Sequence, residues 1–381
     1  MLRGSSDVGD GAAGASLAVP QGPISGAEAP SPASFVESIC LPALRNAQNY
    51  DGGWGFRPGC ESRVEPTCWA LQALLNPAQP APATADTAIA GGPPQACEEN
   101  CRRGFQFLRA AQLPDGSWPA TLPTAKTAVA GDPGPAAGQE TGCSVTALAC
   151  WVLLSEKNSR SAVAAGLRWL NQDQPRAAAL WQRWLRRLSF APRTLRQDDS
   201  CVGWGWTPGT SSWVEPTAIT LIVLNQSPRK LLSPDLLRRR QSAKALLYER
   251  MCPGGGWDCG NPLVYGAAGQ PLVIPTAWAL LALRRHAQRA ENRLSLDWLE
   301  NSLPEVRGPG SLALAQLCLQ AYGRPWPAAA PRPQDLHRKH KFLYSVPVTA
   351  WVCLAASGNW QWLLGDSTTA PQESFALEMT A

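Results

Sequence analysis

One stretch of this chain constrains its fold more than any other. From Arg103 to Trp118 the sequence reads R-G-F-Q-F-L-R-A-A-Q-L-P-D-G-S-W, so Gln112 closes an amphipathic run and Trp118 follows it across a turn containing Gly116. The same step from Gln to Trp recurs at Gln48 and Trp54. Two weaker copies end at Trp204 and Trp257, where Asp198 and Met251 stand in the Gln slot. A turn-and-Trp unit repeated in this way marks an array of helical hairpins. In such a unit the Gln amide can bond unpaired carbonyls at a helix end and amides of the next unit, glycine admits a positive-φ turn, and the indole packs over the junction. Gln48, Gln112, Trp54, Trp118, Trp204 and Trp257 are therefore expected to hold the fold. A Trp lining the lumen of the array would be a separate case, its ring face stabilising a cation beside it.

Six apolar helical segments follow the same logic: Glu65 to Leu75, Gly142 to Leu154, Glu215 to Gln226, Pro275 to His286, Gly310 to Tyr322 and Val346 to Ala356. Val64-Glu65-Pro66-Thr67, Val214-Glu215-Pro216-Thr217 and Val273-Ile274-Pro275-Thr276 each place Pro in a first helical turn, where its missing N–H costs nothing. These segments are apolar on most faces, as the inner ring of a double-layered barrel must be. More polar amphipathic segments at about 35–48, 97–112, 160–173, 234–251, 294–304 and 336–344 supply the outer ring. The expected fold is all-α: one α/α toroid, an α6-α6 double-layered helical barrel. Its expected bounds are 35–365, after a Gly-, Ala-, Ser- and Pro-rich leader at 1–34 and before a polar tail at 366–381. The linkers 77–96 and 119–139 read as long flexible excursions.

Gly104, Phe107, Leu108, Gln112, Gly116 and Trp118 match, position by position, the QW repeat of squalene-hopene and oxidosqualene cyclases. From about residue 35 to 365 the chain resembles a small member of the terpenoid cyclase and protein prenyltransferase superfamily. The resemblance implies a toroid whose lumen takes a linear isoprenoid. In class II terpene cyclases the initiating proton comes from the middle acid of a D-x-D-D motif followed by Thr-Ala at an inner-helix start. The matching stretch here is Trp213-Val214-Glu215-Pro216-Thr217-Ala218, which puts Glu215 on the acid's position. Trp213 and Pro216 replace the flanking Asp residues and can neither share a proton nor orient the acid.

Protonating an alkene needs an acid kept neutral near pH 7 and a dry pocket for the cation. A helix N-terminus favours the ionised carboxylate, so the local expectation is a lowered Glu215 pKa. Glu65 begins its helix with the same V-E-P-T sequence and competes for any role given to Glu215. The expected site is then Glu215 as catalytic acid, with Trp213, Glu65 and Thr217 as substrate-binding residues. The prenyltransferase branch implies zinc held by an Asp-x-Cys and a His at inner-helix starts. Here Asp258 and Cys259 are adjacent in a turn, and no inner helix begins with His. His337 and His340 flank Arg338 and Lys339 in a basic stretch that reads as a solvated face. Asp198-Asp199 lacks the D-D-x-x-D spacing that binds magnesium and diphosphate. No metal and no other cofactor is expected.

Composition narrows the partners. Seventeen Trp against five Tyr suit rigid aromatic walls and inter-repeat packing equally well. The twelve Cys lie largely in apolar runs, as at Cys68, Cys150, Cys318 and Cys353, and read as buried reduced thiols. A net charge of +5 without an aromatic-basic groove pattern argues against nucleic acid. The leader holds no signal-peptide core and no run of apolar residues is long enough to span a bilayer, so the expected location is the cytoplasm. In residues 179–190, Trp181, Trp184, Leu185 and Leu188 fall at i, i+3, i+4, i+7, with Arg183, Arg186 and Arg187 on other faces. That pattern fits peripheral contact with the inner membrane face, and it fits an outer helix packed on its neighbour just as well. Two functions follow: a cyclase-like isomerase that binds a linear isoprenoid and cyclises it by protonation, or a non-catalytic toroid serving as a lipid-binding or protein-interaction scaffold.

Overall fold

The computed structural model of the chain describes residues 32–77, 95–121, 141–173, 201–264, 267–326 and 332–363. The segment 179–190, the Asp198-Asp199 pair, residues 1–31 of the leader and the tail lie outside the described residues. Odd-numbered helices are the polar ones expected outside. They are α1 (Pro32–Phe35, a π-helical turn Val36–Cys40, then Leu41–Asn46), α3 (Gln95–Ala110), α5 (Arg160–Gln172), α7 (Pro234–Glu249), α9 (Ala290–Ser302) and α11 (Pro333–His340). The even-numbered apolar helices are α2 (Val64–Leu75), α4 (Cys143–Leu153), α6 (Val214–Gln226), α8 (Val273–Ala282), α10 (Pro309–Ala321) and α12 (Val346–Ala356). One antiparallel two-stranded hairpin, Leu263–Val264 with Ala267–Ala268, precedes α8.

The even helices pack side by side in sequence order, and α12 returns to pack on α2, which closes the inner ring. Each outer helix leans on the inner helix that precedes it: α3 on α2, α5 on α4, α7 on α6, α9 on α8 and α11 on α10. The last inner helix, α12, has no outer helix described after it, and α1 covers it from the other end of the chain. The protein is therefore an all-α toroid of six helical pairs, and its closure joins the two termini of the ring. No helix among the described residues is long and apolar enough to cross a membrane.

The inner helices begin at one common end of the ring. The Cys143 N–H at the start of α4 donates to the Trp206 carbonyl ahead of α6, and the Val214 N–H at the start of α6 donates to the Cys259 carbonyl ahead of α8. The Val346 N–H of α12 donates to the Phe56 carbonyl ahead of α2, at 3.0 Å, so the same backbone handover seals the seam between last and first repeats. In each case the acceptor lies two residues beyond the repeat position of the next unit (Trp204, Trp257, Trp54).

Candidate functional site

The repeat turns are the frame of the site. The indole N–H groups of Trp54, Trp118 and Trp257 donate to the carbonyls of Leu44, Leu108 and Leu247, each ten positions upstream at the end of an outer helix. Trp204 donates to the Leu170 carbonyl in the same way. The backbone N–H of each of these four Trp donates to a Thr hydroxyl in the first turn of the next inner helix: Thr67, Thr146, Thr217 and Thr276. Gln48 and Gln112 each donate to a glycine carbonyl of their own turn and to a carbonyl of the following outer helix, Asn100 and Ala162 respectively. Gly116, at φ +95°, lies so close to the Ala165 carbonyl that a Cβ would sit 2.6 Å from its oxygen. All four Trp are fully buried, and the repeat residues hold the fold as their spacing implies.

Thr217 belongs to this frame. Its hydroxyl accepts from the Trp204 N–H at 2.9 Å, and it is 0% exposed, so the turn occupies the group that sequence reasoning assigned to substrate. Trp213 caps the start of α6, donates its N–H to the Trp204 carbonyl, and lays its half-exposed ring beside Gly260 on the rim.

Inside the ring a different set of tryptophans meets. Trp69 of α2 stacks on Trp278 of α8 with ring centroids 5.4 Å apart and planes 30° from parallel, and it meets Trp151 and Trp351 edge-on at 6.2 and 5.5 Å. Helices α2 and α8 are three places apart in a ring of six, so the Trp69–Trp278 stack spans the lumen. A closed ring was expected to leave a central cavity for an apolar chain; at this level aromatic side chains fill it instead. The signal for these residues was present in the sequence, since Trp69, Trp278 and Trp351 each stand two residues after the first-turn Thr of their helix (Thr67, Thr276, Thr349). That register faces the lumen, and Ile219 holds it in α6.

Glu65 lies one helical turn before Trp69, on the same face and toward the common N-terminal end. Burial pushes its carboxyl pKa up, partly offset by the nearby Trp69 indole N–H, which makes no hydrogen bond of good geometry. Burial also raises Glu215, and the Glu65 charge raises it further. The helix N-terminus was expected to lower the Glu215 pKa; desolvation and a like charge outweigh it. Neither carboxylate forms an ion pair among the described residues.

The chemistry available is a pair of weakly solvated carboxyls above an aromatic floor. Such a pair holds a proton more tightly than ordinary Glu residues do. No group of three or more metal-ligating side chains comes together among the described residues. Asp258 stays in its turn, accepting from the Gly260 N–H. All twelve Cys are free, and nine are buried.

No family model matches the sequence, and no curated protein matches it. Among solved structures, the chain is similar to a protein from Actinoplanes at 15% identity, covering 86% of this chain and 99% of that one, with a TM-score of 0.46. It is similar to the type II terpene cyclase MstE from Scytonema at 14% identity, over 86% of this chain and 97% of that one, also at 0.46. A glycosidase matches at 10% identity over 87% of this chain and 98% of that one, with a TM-score of 0.36. At these scores the likeness carries nothing about chemistry, and the toroid stands on its own closed ring of helix contacts.

Proposed function

We propose that this protein is a cyclase-like toroid that takes up one linear isoprenoid at the N-terminal mouth of its inner ring, with Glu215 as the group that protonates it. The observation that carries this reading is the Glu65–Glu215 pair: two carboxyls at one end of the lumen, both pushed toward their neutral forms by burial, with Glu215 pushed further by the Glu65 charge. A neutral carboxylic acid facing aromatic rings is what alkene or epoxide protonation requires, because the acid keeps its proton near pH 7 and the rings stabilise the cation that forms. Trp213 stands at the rim beside Glu215 and would limit the access of water. Glu65 supplies the second charge that raises its neighbour.

The test is incubation of the purified chain with squalene, oxidosqualene and C15 to C20 prenyl diphosphates, followed by mass spectrometry of the extract. Cyclised product is expected from the wild type, and Glu215→Gln should lower turnover about 10²- to 10⁴-fold, the usual worth of a general acid. Glu65→Gln should retain most of the activity. Absence of product from the wild type refutes the catalytic reading.

One observation favours the second reading, a non-catalytic scaffold that binds a lipid or protein partner. The Trp69–Trp278 stack fills the lumen where a substrate would fold, and Trp213 and Pro216 provide no proton relay for Glu215. Native mass spectrometry that finds a bound lipid, with no turnover of any substrate, would establish that reading.

A further inference from the structure

The inner ring has a second end, opposite the mouth that carries Glu65 and Glu215. There α12 stops at Ala356, and Gly358, at φ +64°, turns the chain. The segment that follows, Asn359 to Leu363, meets helix ends on the far side of the ring. The Leu363 carbonyl accepts from the side-chain amide of Gln226, the last residue of α6, at 2.8 Å. Helix α6 stands three places from α12 in the ring of six, so this bond reaches across the C-terminal mouth. Just past the end of α8, the Arg284 guanidinium lies over the Trp360 ring, 5.6 Å from its centroid. Leu363 is 4% exposed, and Trp360 packs against the core.

We propose that the C-terminal mouth is a port into the lumen, closed by Asn359–Leu363 as a strap, and that an apolar guest enters by displacing it. The contacts define the guest. The strap presents an aliphatic side chain, Leu363, and an indole, Trp360, to the ring, so a guest that replaces them shares their apolar character. Arg284 is held in place by α10: its Nε–H donates to the Ala321 carbonyl, and its guanidinium lies 5.0 Å from the Tyr322 ring centroid. Once Trp360 leaves, the guanidinium offers the vacated face to another aromatic ring.

The strap is held lightly. Among the described residues, its directional ties to the ring are one side-chain hydrogen bond and one cation–π contact, each a modest contribution. Gln361 between them is exposed. The hinge is unobstructed, since a Cβ at Gly358 would meet nothing within 4 Å.

The latch is also connected to the lumen. Gln226 Oε1 accepts from the Trp151 indole N–H at 3.0 Å, and Trp151 meets Trp69 edge-on. A chain of contacts therefore runs from the aromatic layer through Trp151 and Gln226 to Leu363. This inference needs neither Glu215 nor turnover, only a lumen that accepts a guest.

The test uses the full chain and phenylnaphthylamine, a neutral apolar dye whose fluorescence rises on burial. Gln226→Glu keeps an acceptor for Trp151 and replaces the donor to Leu363 with a carboxylate oxygen, so it opens the latch selectively. Loss of that bond should raise the open fraction about fivefold, the usual worth of one hydrogen bond. Apparent dye affinity should rise by the same factor, because only the open state binds. Chymotrypsin cleavage after Trp360 or Trp362, read from product masses, should rise in proportion. Saturating dye should also speed that cleavage in the wild type, since a guest that displaces the strap stabilises the open state. Trp360→Ala, which removes the ring beneath Arg284, is a second latch variant and should tighten dye binding likewise. Arg109→Gln, which breaks the ion pair with Glu156 on an outer helix, controls for general loosening and should match the wild type. Absence of dye binding, equal affinity in wild type and both latch variants, cleavage unchanged by dye, or the same gain in Arg109→Gln overturns the proposal.

Discussion

The protein uses tryptophan in two settings, and the contrast separates what builds the ring from what the ring encloses. In the repeat turns, Trp54, Trp118, Trp204 and Trp257 are fully buried, and each indole N–H reaches a leucine carbonyl at the end of an outer helix. In the lumen, Trp69 is just as inaccessible, yet its N–H, near the Glu65 carboxyl, makes no hydrogen bond of good geometry, and neither does that of Trp351. A buried donor without an acceptor costs free energy that a fold-building residue would not normally carry. The turn tryptophans are selected by their N–H groups together with their rings. Of the lumen tryptophans, Trp151 donates its N–H to the Gln226 side chain, whereas Trp69 and Trp351 contribute chiefly their ring faces, the property a toroid interior would use on an apolar or cationic guest.

The largest test of that contrast is to remove the rings. Trp118→Ala should destabilise the chain by about 3–5 kcal/mol, the usual range for truncating a buried aromatic, read as a shift in the urea midpoint. A more selective test keeps an aromatic ring and deletes only the N–H. Trp118→Phe leaves the Leu108 carbonyl unsatisfied and should cost about 1–3 kcal/mol beyond the lost volume. Trp69→Phe, which removes a donor that makes no hydrogen bond of good geometry, should cost less than Trp118→Phe by at least about 1 kcal/mol. Equal losses for the two Phe variants would break the distinction between frame and lumen.

The hydroxyls of α6 give a comparison within one helix. Thr217 accepts from the Trp204 N–H across the turn, whereas Thr220 donates to the Pro216 carbonyl one turn back in its own helix. Both are fully buried. Thr217→Val should cost about 1–3 kcal/mol, because it orphans a buried backbone N–H. Thr220→Val should cost less than about 1 kcal/mol, because the Pro216 carbonyl is left with one lone-pair partner fewer and no donor is stranded. Urea midpoints measured side by side settle the order, and a reversed order would place Thr217 outside the frame.

These cases also mark how far the sequence could be read. The ring was legible because the Gln-to-Trp step and the V-E-P-T starts are local patterns with local causes, a turn that needs glycine and a first helical turn that tolerates proline. The observed inner helices begin within two residues of the expected starts for the same reason. The register of Trp69, Trp278 and Trp351 was equally periodic, yet its meaning was hidden: only closure of the ring puts α2 opposite α8 and brings Trp69 onto Trp278. The Glu215 pKa was misjudged in the same way. A helix terminus is visible in sequence, while desolvation and the charge of a residue 150 positions away depend on the finished fold.

The smallest expected effect tests whether the two mouth carboxyls form one unit. Burial holds both protons more tightly in the folded chain than in the unfolded one, where Glu titrates near 4.5. The folded state therefore binds more protons than the unfolded state in the window above 4.5, and stability falls as pH rises through that window. The contribution of each group is fully present below the unfolded value and lost once pH passes the folded one. Gln does not titrate, so the stability of Glu65→Gln and of Glu215→Gln relative to wild type should rise between pH 4.5 and 8, as read from melting temperatures. Because the Glu65 charge is one cause of the raised Glu215 pKa, replacing either residue relieves part of the strain on the other. The double variant should then gain less at pH 8 than the sum of the two single gains, and the shortfall should vanish at pH 4, where both carboxyls are neutral. Strict additivity at pH 8 would mean that the two carboxyls do not interact, and burial alone would then hold the proton on Glu215.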